Sequence, residues 1–265
     1  FNSNTINLQL SYADFLTFKL NQPEKAIEVL ERSEKLAKTP FAKGDIKIKL
    51  ADIMVYTGQF NQALVLYSQV QTGLKNSPLA QTAQFKVAQT SFFKGDFDWA
   101  KTQLKVLKTS TSKLIANDAL ELYLLITNNI AKDSVTKPLE LYAKAELLSY
   151  QNKNTQAIDT LNVILKTYKG QPVEDDALFK QAELFIKTGE SEKAKENYLK
   201  IIKIDPEGIF IEDAYYKLAK LYQEVLNDPE KAKEYYKKIL FEYPTSIHVP
   251  EARKQYRLLR GDSVQ

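Results

Sequence analysis

One small residue recurs along this 265-residue chain at almost constant spacing, and that period limits the folds the chain can adopt. Alanines stand near the start of six amphipathic segments, at steps of 37, 37, 57, 37 and 38 residues. A period of this length is typical of a helical solenoid, in which each repeat buries one face against the next. We call these residues the repeat alanines: Ala26, Ala63, Ala100, Ala157, Ala194 and Ala232.

The stretch over 211–244 shows what one repeat contains. Its first half carries large and small apolar residues at i, i+3, i+4 and i+7, which predicts an amphipathic helix. A second helix is predicted to begin at Pro229, because proline is tolerated at a first helical position. Asp228, just before it, is suited to cap this helix. A hairpin of two such helices cannot bury both apolar faces alone, so it needs neighbours of the same kind.

The same pattern predicts about six helix–turn–helix repeats, an extra helix over 117–130 and a capping helix over 250–260. The extra helix explains the 57-residue step, because no second helix with a repeat alanine follows it. One interpretation is a decayed repeat with no role. The other is a functional segment, either a hinge or a surface on which a partner binds. The repeats are expected over about 6–39, 44–76, 81–112, 138–169, 175–206 and 212–244.

The repeats resemble the tetratricopeptide repeat (TPR) family. The copy over 175–206 departs from the family pattern at Gln181, where the family has Leu, and otherwise keeps its residue types and spacing. The matching residues are Leu178, Ala182, Phe185, Gly189, Ala194, Tyr198, Ile201 and Pro206. The resemblance implies an all-α, right-handed TPR-like solenoid over 1–265. It also implies a non-catalytic scaffold that binds protein partners.

In that family the first helices line a concave groove, and one groove position is aromatic in four repeats of this chain: Phe85, Tyr142, Phe179 and Tyr216. These rings either bind an extended or helical segment of a partner, or pack between repeats. Lysines follow at the next position, and Lys49–Asp52 and Lys180–Glu183 are spaced to pair within one helix.

The predicted capping helix carries Arg253, Arg257 and Arg260 at i, i+4 and i+7. Cations near a helix C-terminus are favoured by the helix dipole. The alternative is a basic patch that meets an acidic partner or anionic headgroups.

Composition argues against enzymatic chemistry. The chain has no cysteine and one histidine, so thiolate sites, His-based triads and multi-His metal sites are not expected. No Gly-rich phosphate-binding loop is present. We therefore expect no catalytic residues, no metal and no cofactor. The net charge of +4 is spread over the sequence, and we expect no nucleic-acid partner.

A second resemblance concerns the ends of the repeats. Tyr243-Pro244-Thr245-Ser246, followed by Pro250-Glu251-Ala252-Arg253, is similar to repeat ends of bacterial outer-membrane assembly lipoproteins and periplasmic coordinator proteins. This implies a periplasm-facing place in the bacterial cell envelope and peripheral outer-membrane association. The alternatives are a cytosolic adaptor and a sensor with a small-molecule pocket. Because the sequence begins with Phe1, we expect a processed product or a fragment.

Overall fold

The structure, a computed structural model, describes residues 5–108, 113–130 and 136–262. These residues form fourteen α-helices and include no strand, which confirms the all-α prediction. In chain order the helices are α1 (Ile6–Asp14, continued by a π-helical turn over Phe15–Lys19), α2 (Pro23–Leu36), α3 (Pro40–Tyr56), α4 (Phe60–Gly73), α5 (Pro78–Lys94), α6 (Phe97–Leu107), α7 (Lys113–Asn129), α8 (Lys137–Tyr150), α9 (Asn154–Thr167), α10 (Val173–Thr188), α11 (Ser191–Ile204), α12 (Ile211–Glu224), α13 (Pro229–Glu242) and α14 (Val249–Arg260).

The chain divides into two compact units, Phe1–Lys153 and Asn154–Gln265. The boundary falls between α8 and α9, inside the repeat predicted over 138–169. The two units are described one by one below, and a single solenoid over 1–265 stays a prediction.

In the first unit, α1 to α6 form three helical hairpins that pack in chain order, and α7 packs against α5 and α6. One apolar cluster joins the first hairpin to α3, with Leu16 and Leu30 against Ile46 and Ile53. A second cluster joins the hairpin of α3 and α4 to α5, with Tyr67 and Val87 among its members. Each hairpin thus buries its apolar face against the next one, as a helical repeat requires.

In the second unit, α9 to α14 pack in the same consecutive manner, each helix against the one that follows it. The capping helix α14 packs against α13 and places Ala252 in the core. All six repeat alanines, in both units, have no solvent exposure. A side chain no larger than a methyl group lets helices approach closely, and the period in the sequence marks positions that are fully buried between helices.

Residues in the turns determine where the first helix of each hairpin ends. Gly95 and Gly189 end α5 and α10 with φ of 84° and 81°, a left-handed conformation that glycine adopts without strain. The first and last hairpins use Asn21 and Asn227 instead, both with φ of 52°. Asp228 accepts a hydrogen bond from the Lys231 amide at 3.0 Å, which confirms the predicted cap of α13.

Candidate functional site

Two of the four predicted groove rings lie on consecutive first helices of the second unit. Phe179, on α10, is half-buried and stacks on Phe210, with ring centroids 4.9 Å apart and an angle of 20° between the ring planes. The ring of Tyr198 meets Phe179 edge-on at 5.7 Å. One side of Phe179 is therefore used in packing between repeats, while part of the ring stays open to solvent.

Tyr216, on α12, repeats this arrangement one step further along the chain. Its ring stacks on His248, with centroids 4.2 Å apart and ring planes 6° apart, and meets Tyr236 edge-on at 6.3 Å. His248 also lies 2.6 Å from Asp213 through Nε2. His248 and Phe210 occupy equivalent places just before α14 and α12, so a stacked aromatic pair recurs at these two junctions.

The other two predicted rings belong to the first unit and are held differently. Phe85 lies half-buried on α5. Tyr142 lies on α8 and is 7% exposed, so little of its ring is available to a partner. The four residues thus share a position in the repeat pattern but not one environment. Their predicted role in binding stays a prediction.

A row of ion pairs connects successive first helices, a feature that depends on how neighbouring repeats align. The Lys49 ammonium lies 2.8 Å from Asp14 of the preceding repeat, and Lys86 lies 3.1 Å from Asp52. In the second unit, Lys217 lies 3.5 Å from Glu183 in the same way. The predicted Lys49–Asp52 pair within α3 is therefore wrong, because parallel packing of first helices brings each lysine to the acid of the preceding repeat.

Asp52 is the most buried acid of this row, with 7% exposure. Its Oδ1 accepts a hydrogen bond from the Tyr67 hydroxyl at 2.6 Å and also faces the Lys86 ammonium. Burial, and next the nearby Asp52 charge, raise the pKa of Tyr67 well above its ordinary value, so the tyrosine stays a donor at neutral pH. Asp52 therefore joins α3, α4 and α5 through one carboxylate.

The C-terminal end of α8 occupies part of the first-helix surface of the first unit. Leu147 and Tyr150 pack against the apolar cluster of α3, α4 and α5. The Tyr150 ring meets Phe18 edge-on at 5.4 Å and Phe93 at 6.1 Å. One aromatic side chain of α8 therefore contacts the ends of both the first and the third hairpins' first helices.

Polar side chains beside Tyr150 bind main-chain oxygens of the same surface. Gln151 donates to the Tyr56 carbonyl at 2.9 Å, and Asn152 donates to the Phe18 carbonyl at 2.7 Å. Carbonyls in the last turn of a helix have no partner within that helix, so these amides satisfy them. This contact could not be predicted from the sequence, because residues more than 90 positions apart make it and no local pattern marks it.

A second buried polar feature explains the departure from the family pattern at Gln181. This residue is 3% exposed and lies between α9 and α11. Its amide nitrogen donates to the Asn162 side-chain oxygen at 2.9 Å, and its Oε1 accepts from the Asn197 amide at 2.9 Å. A leucine could make neither bond, so the glutamine belongs to a chain of three amides across three helices.

The predicted basic patch lies on the exposed side of α14. Arg260 forms two contacts with Asp262, at 3.1 Å and 2.5 Å, and Arg257 lies 3.7 Å from the same carboxylate. These pairs lower the pKa of Asp262, chiefly through its hydrogen bond with Arg260, so the carboxylate is charged at neutral pH. Part of the positive charge is therefore balanced locally, while Arg253 remains exposed.

Replacing Arg253, Arg257 and Arg260 together with glutamine should leave the melting temperature within about 2 °C of wild type. The reason is that exposed ion pairs contribute little to folding. Differential scanning calorimetry of both proteins measures the change. A large drop would instead show that Asp262 and its arginines are required to hold α14 against α13.

The start of α10 offers a test based on pH. Burial, followed by the charges of Asp205 and Glu174, raises the pKa of Asp175 above its ordinary value of 3.8. A raised pKa in the folded state means that ionisation costs stability, and this cost appears as the pH rises through that pKa. Wild type should therefore lose stability relative to Asp175→Asn between about pH 3 and pH 7.

Chemical denaturation of the two proteins at several pH values measures this difference. The Asp159→Asn variant, at an exposed acid of α9, serves as the matched control. A constant difference between Asp175→Asn and wild type across the pH range would contradict the prediction.

Among the described residues, no group of three or more His, Cys, Asp or Glu side chains is placed to hold a metal ion. Among the helices the structure describes, none combines the length and apolar character needed to cross a membrane.

Comparison with known proteins identifies two of the repeats. Residues 176–208 and 213–246 match the family model for the tetratricopeptide repeat, so α10 to α13 carry tetratricopeptide repeats. This confirms the family resemblance for that part of the chain. A comparison with curated proteins gives no match.

Several solved structures are similar over nearly the whole chain. The TPR domain of P58(IPK) is 20% identical over 97% of this chain, with a TM-score of 0.40, and this chain spans 64% of its length. PilF of Pseudomonas aeruginosa is 12% identical, with 97% of each chain covered and a TM-score of 0.36. The TPR2AB domain of yeast Sti1, solved in complex with pHSP90, is 14% identical over 97% of this chain and 99% of that one, with a TM-score of 0.40. Likenesses of this degree carry no argument about function.

Proposed function

We propose that this protein is a non-catalytic scaffold that binds a segment of a partner protein on the first-helix surface of its second unit. The observation that carries the proposal is the recurrence of half-buried aromatic rings, Phe179 and Tyr216, at one position of two consecutive tetratricopeptide repeats. Each ring stacks on a neighbouring ring and remains partly exposed. A rigid ring that is partly exposed offers apolar contact area at small entropic cost.

The charges beside the rings favour a peptide or a helix over a purely apolar ligand. Lys217 and Glu183 pair between the two first helices at 3.5 Å, and both side chains remain partly exposed. Lys220, one turn further along α12, pairs with Glu224 at the surface. A partner segment with apolar side chains flanked by polar groups would match this surface, as helices recognised in grooves do.

The place of this scaffold in the cell is a further part of the proposal. The similarity of the repeat ends, around Pro244 and Pro250, to outer-membrane assembly lipoproteins and periplasmic coordinators supports a periplasm-facing role in the bacterial envelope. A cytosolic adaptor for a peptide segment is the alternative. Fractionation of the native cells, followed by protease treatment of intact and opened cells, separates the two locations.

The test of the binding surface compares three baits: wild type, Phe179→Ala/Tyr216→Ala, and Val163→Ala/Leu199→Ala. The last pair removes exposed apolar side chains from the second helices α9 and α11 and serves as the matched control. We expect wild type and control to recover the same partner from native extract, and the ring variant to lose at least about tenfold in affinity for it.

The melting temperature of each bait is measured in parallel. If the ring variant loses stability and binding in proportion, the rings belong to the core between repeats and the proposed surface is wrong. Equal recovery by all three baits would also contradict it.

The basic patch on α14 gives the proposal a second, separable test. If Arg253, Arg257 and Arg260 meet an acidic partner or anionic headgroups, binding should weaken as salt rises, since exposed charges are screened over about 10 Å at 0.1 M salt. Binding of wild type and the triple glutamine variant is compared at two salt concentrations, with the recovered partner and with vesicles containing anionic lipid. If wild type and the triple glutamine variant bind equally at low salt, these arginines have no part in binding, and their place is explained by the dipole of α14 alone.

A further inference from the structure

The first helices of the first three hairpins each carry an aromatic residue in the last turn. Phe18 lies in the π-helical turn that continues α1, Tyr56 ends α3, and Phe93 lies one residue before the end of α5. The steps between them, 38 and 37 residues, match the repeat period. Phe18 meets Tyr56 edge-on at 5.3 Å, and all three rings are half-buried. We call these three residues the aromatic row.

The segment that covers part of this row belongs to α8. Tyr150, the last residue of α8, follows Phe93 by 57 residues, the step that also separates Ala100 from Ala157. It therefore holds the same position in the repeat pattern. Its ring contacts both Phe18 and Phe93, with centroids 5.4 Å and 6.1 Å away. While Tyr150 is in place, no other molecule can use these sides of the two rings.

Hydrogen bonds hold the same segment against the row. The side-chain amides of Gln151 and Asn152 donate to two main-chain carbonyls of the aromatic row. The Tyr150 hydroxyl donates to the Asp52 carbonyl at 3.2 Å. Burial, and next the charges of Asp52 and Asp14, raise the pKa of Tyr150, so its hydroxyl stays a donor at neutral pH. The surface thus offers rings and carbonyl acceptors, and its occupant offers one ring and three donors.

This contact lies near solvent, unlike the buried bond between Asp52 and Tyr67. Asn152 is exposed and Gln151 is half-buried, so water can replace their amides at the two carbonyls when the segment leaves. The main-chain hydrogen bonds of α8 and of the first helices stay in place, because each runs within its own helix. Separation of the contact therefore requires no helix to unfold.

We propose that the C-terminal end of α8 is an autoinhibitory contact that closes a binding surface on the first unit. The surface is the aromatic row with its two carbonyls. The end of α8 shows the chemistry that this surface accepts, a helix end with an aromatic ring followed by side-chain amides. A partner with such a segment binds the first unit by displacing Tyr150, Gln151 and Asn152. The proposal goes beyond the ring surface of the second unit and does not depend on it.

The probe is a fluorescently labelled peptide with the sequence of residues 137–153, and its binding to the full chain is measured by fluorescence anisotropy. Tyr150→Ala/Gln151→Ala/Asn152→Gly opens the surface, and glycine suits position 152 because the backbone φ there is 58°. This opened variant should bind the peptide saturably. Wild type should bind it at least about tenfold more weakly, because a tethered segment competes at an effective concentration of about 1 mM.

Three matched controls identify the surface. Lys144→Ala replaces an exposed residue of α8 and should exclude the peptide as wild type does. A peptide with the same three replacements as the opened variant should not bind that variant, and this control leaves the folding of the protein untouched. Adding Phe179→Ala/Tyr216→Ala to the opened variant should leave peptide binding unchanged, which separates this surface from the one proposed for the second unit.

Circular dichroism shows whether the opened variant is folded. Asn152→Gly alone removes one amide and should bind the peptide with an affinity between wild type and the opened variant, so it decides the question if the triple replacement unfolds the unit. Absence of saturable binding to both variants would show that the end of α8 belongs to the core. Equal binding by wild type and the opened variant, or equal binding of the two peptides, would place the peptide elsewhere. Each of these results would overturn the proposal.

Discussion

Replacing Asp52 with alanine is expected to lower the free energy of unfolding by about 3 kcal/mol. The change leaves the Tyr67 hydroxyl, now bonded at 2.6 Å, and the Lys86 ammonium, now at 3.1 Å, without their acceptor. Tyr67 is 1% exposed, so its hydroxyl has little access to bulk water once the carboxylate is gone. Lys86 keeps some access to solvent, which places the cost toward the lower end of the range for a broken buried pair.

Urea denaturation of wild type and Asp52→Ala measures this loss. Asp52→Asn should lie between them, because its side-chain oxygen can still accept from Tyr67 while the charge toward Lys86 is gone. Lys217→Met serves as the matched control in the same row of ion pairs. Its pair with Glu183 is 3.5 Å long and more than a third exposed on both sides, so its loss should cost less than about 0.5 kcal/mol. Equal losses for Asp52→Ala and Lys217→Met would contradict the prediction.

Replacing Gln181 with leucine, the residue typical of the family, should lower the free energy of unfolding by about 2 kcal/mol. Leucine is more apolar and fits a buried position of similar size, which favours the variant. It leaves the buried amide of Asn197 without the acceptor that now lies at 2.9 Å, and Asn162 loses its donor. Because Asn197 is 3% exposed, the unmet hydrogen bonds outweigh the gain in apolar contact.

A double-mutant cycle with Asn197→Ala checks the cause. If the two amides act together, Asn197→Ala should cost clearly less in the leucine background than in wild type, by about 1 kcal/mol or more. Additive losses would mean that Gln181 stabilises the unit through packing alone.

Much of the fold could be predicted from the sequence because its determinants are local. The repeat alanines mark close helix contacts, and turn residues such as Gly189 and Asp228 set helix ends within a few positions. Helix periodicity and caps depend on neighbours in the chain, so single-sequence reasoning reaches them.

The pairing of charges could not be predicted in the same way. Lys49 is equally well spaced for Asp52 within its helix, and only the register between hairpins brings it to Asp14. Register between repeats depends on the whole packed face, which no short window of sequence contains. The contact of Asn152 with Phe18 was missed for the same reason.

The ring surface illustrates a different limit. An aromatic residue at a half-exposed position can pack between repeats or bind a partner, and the same apolar ring serves either role. Phe179 stacks on Phe210 and is still partly exposed, so the recurrence of rings predicts where they lie but not whether they bind a partner. Only the comparison of binding with stability in the same variant separates the two roles.

The contact of α8 with the first-helix surface bears on how the first unit folds. Stability in a repeat array is ordinarily the sum of terms between nearest neighbours, so such arrays can fray one hairpin at a time. Gln151 and Asn152, however, bind Tyr56 and Phe18 across sequence separations of 95 and 134 residues. Loop-closure entropy disfavours contacts of such long range unless the hairpins between them are also folded. The first unit should therefore unfold in one cooperative step, with amide hydrogens of α1, α3 and α8 showing a common free energy of opening.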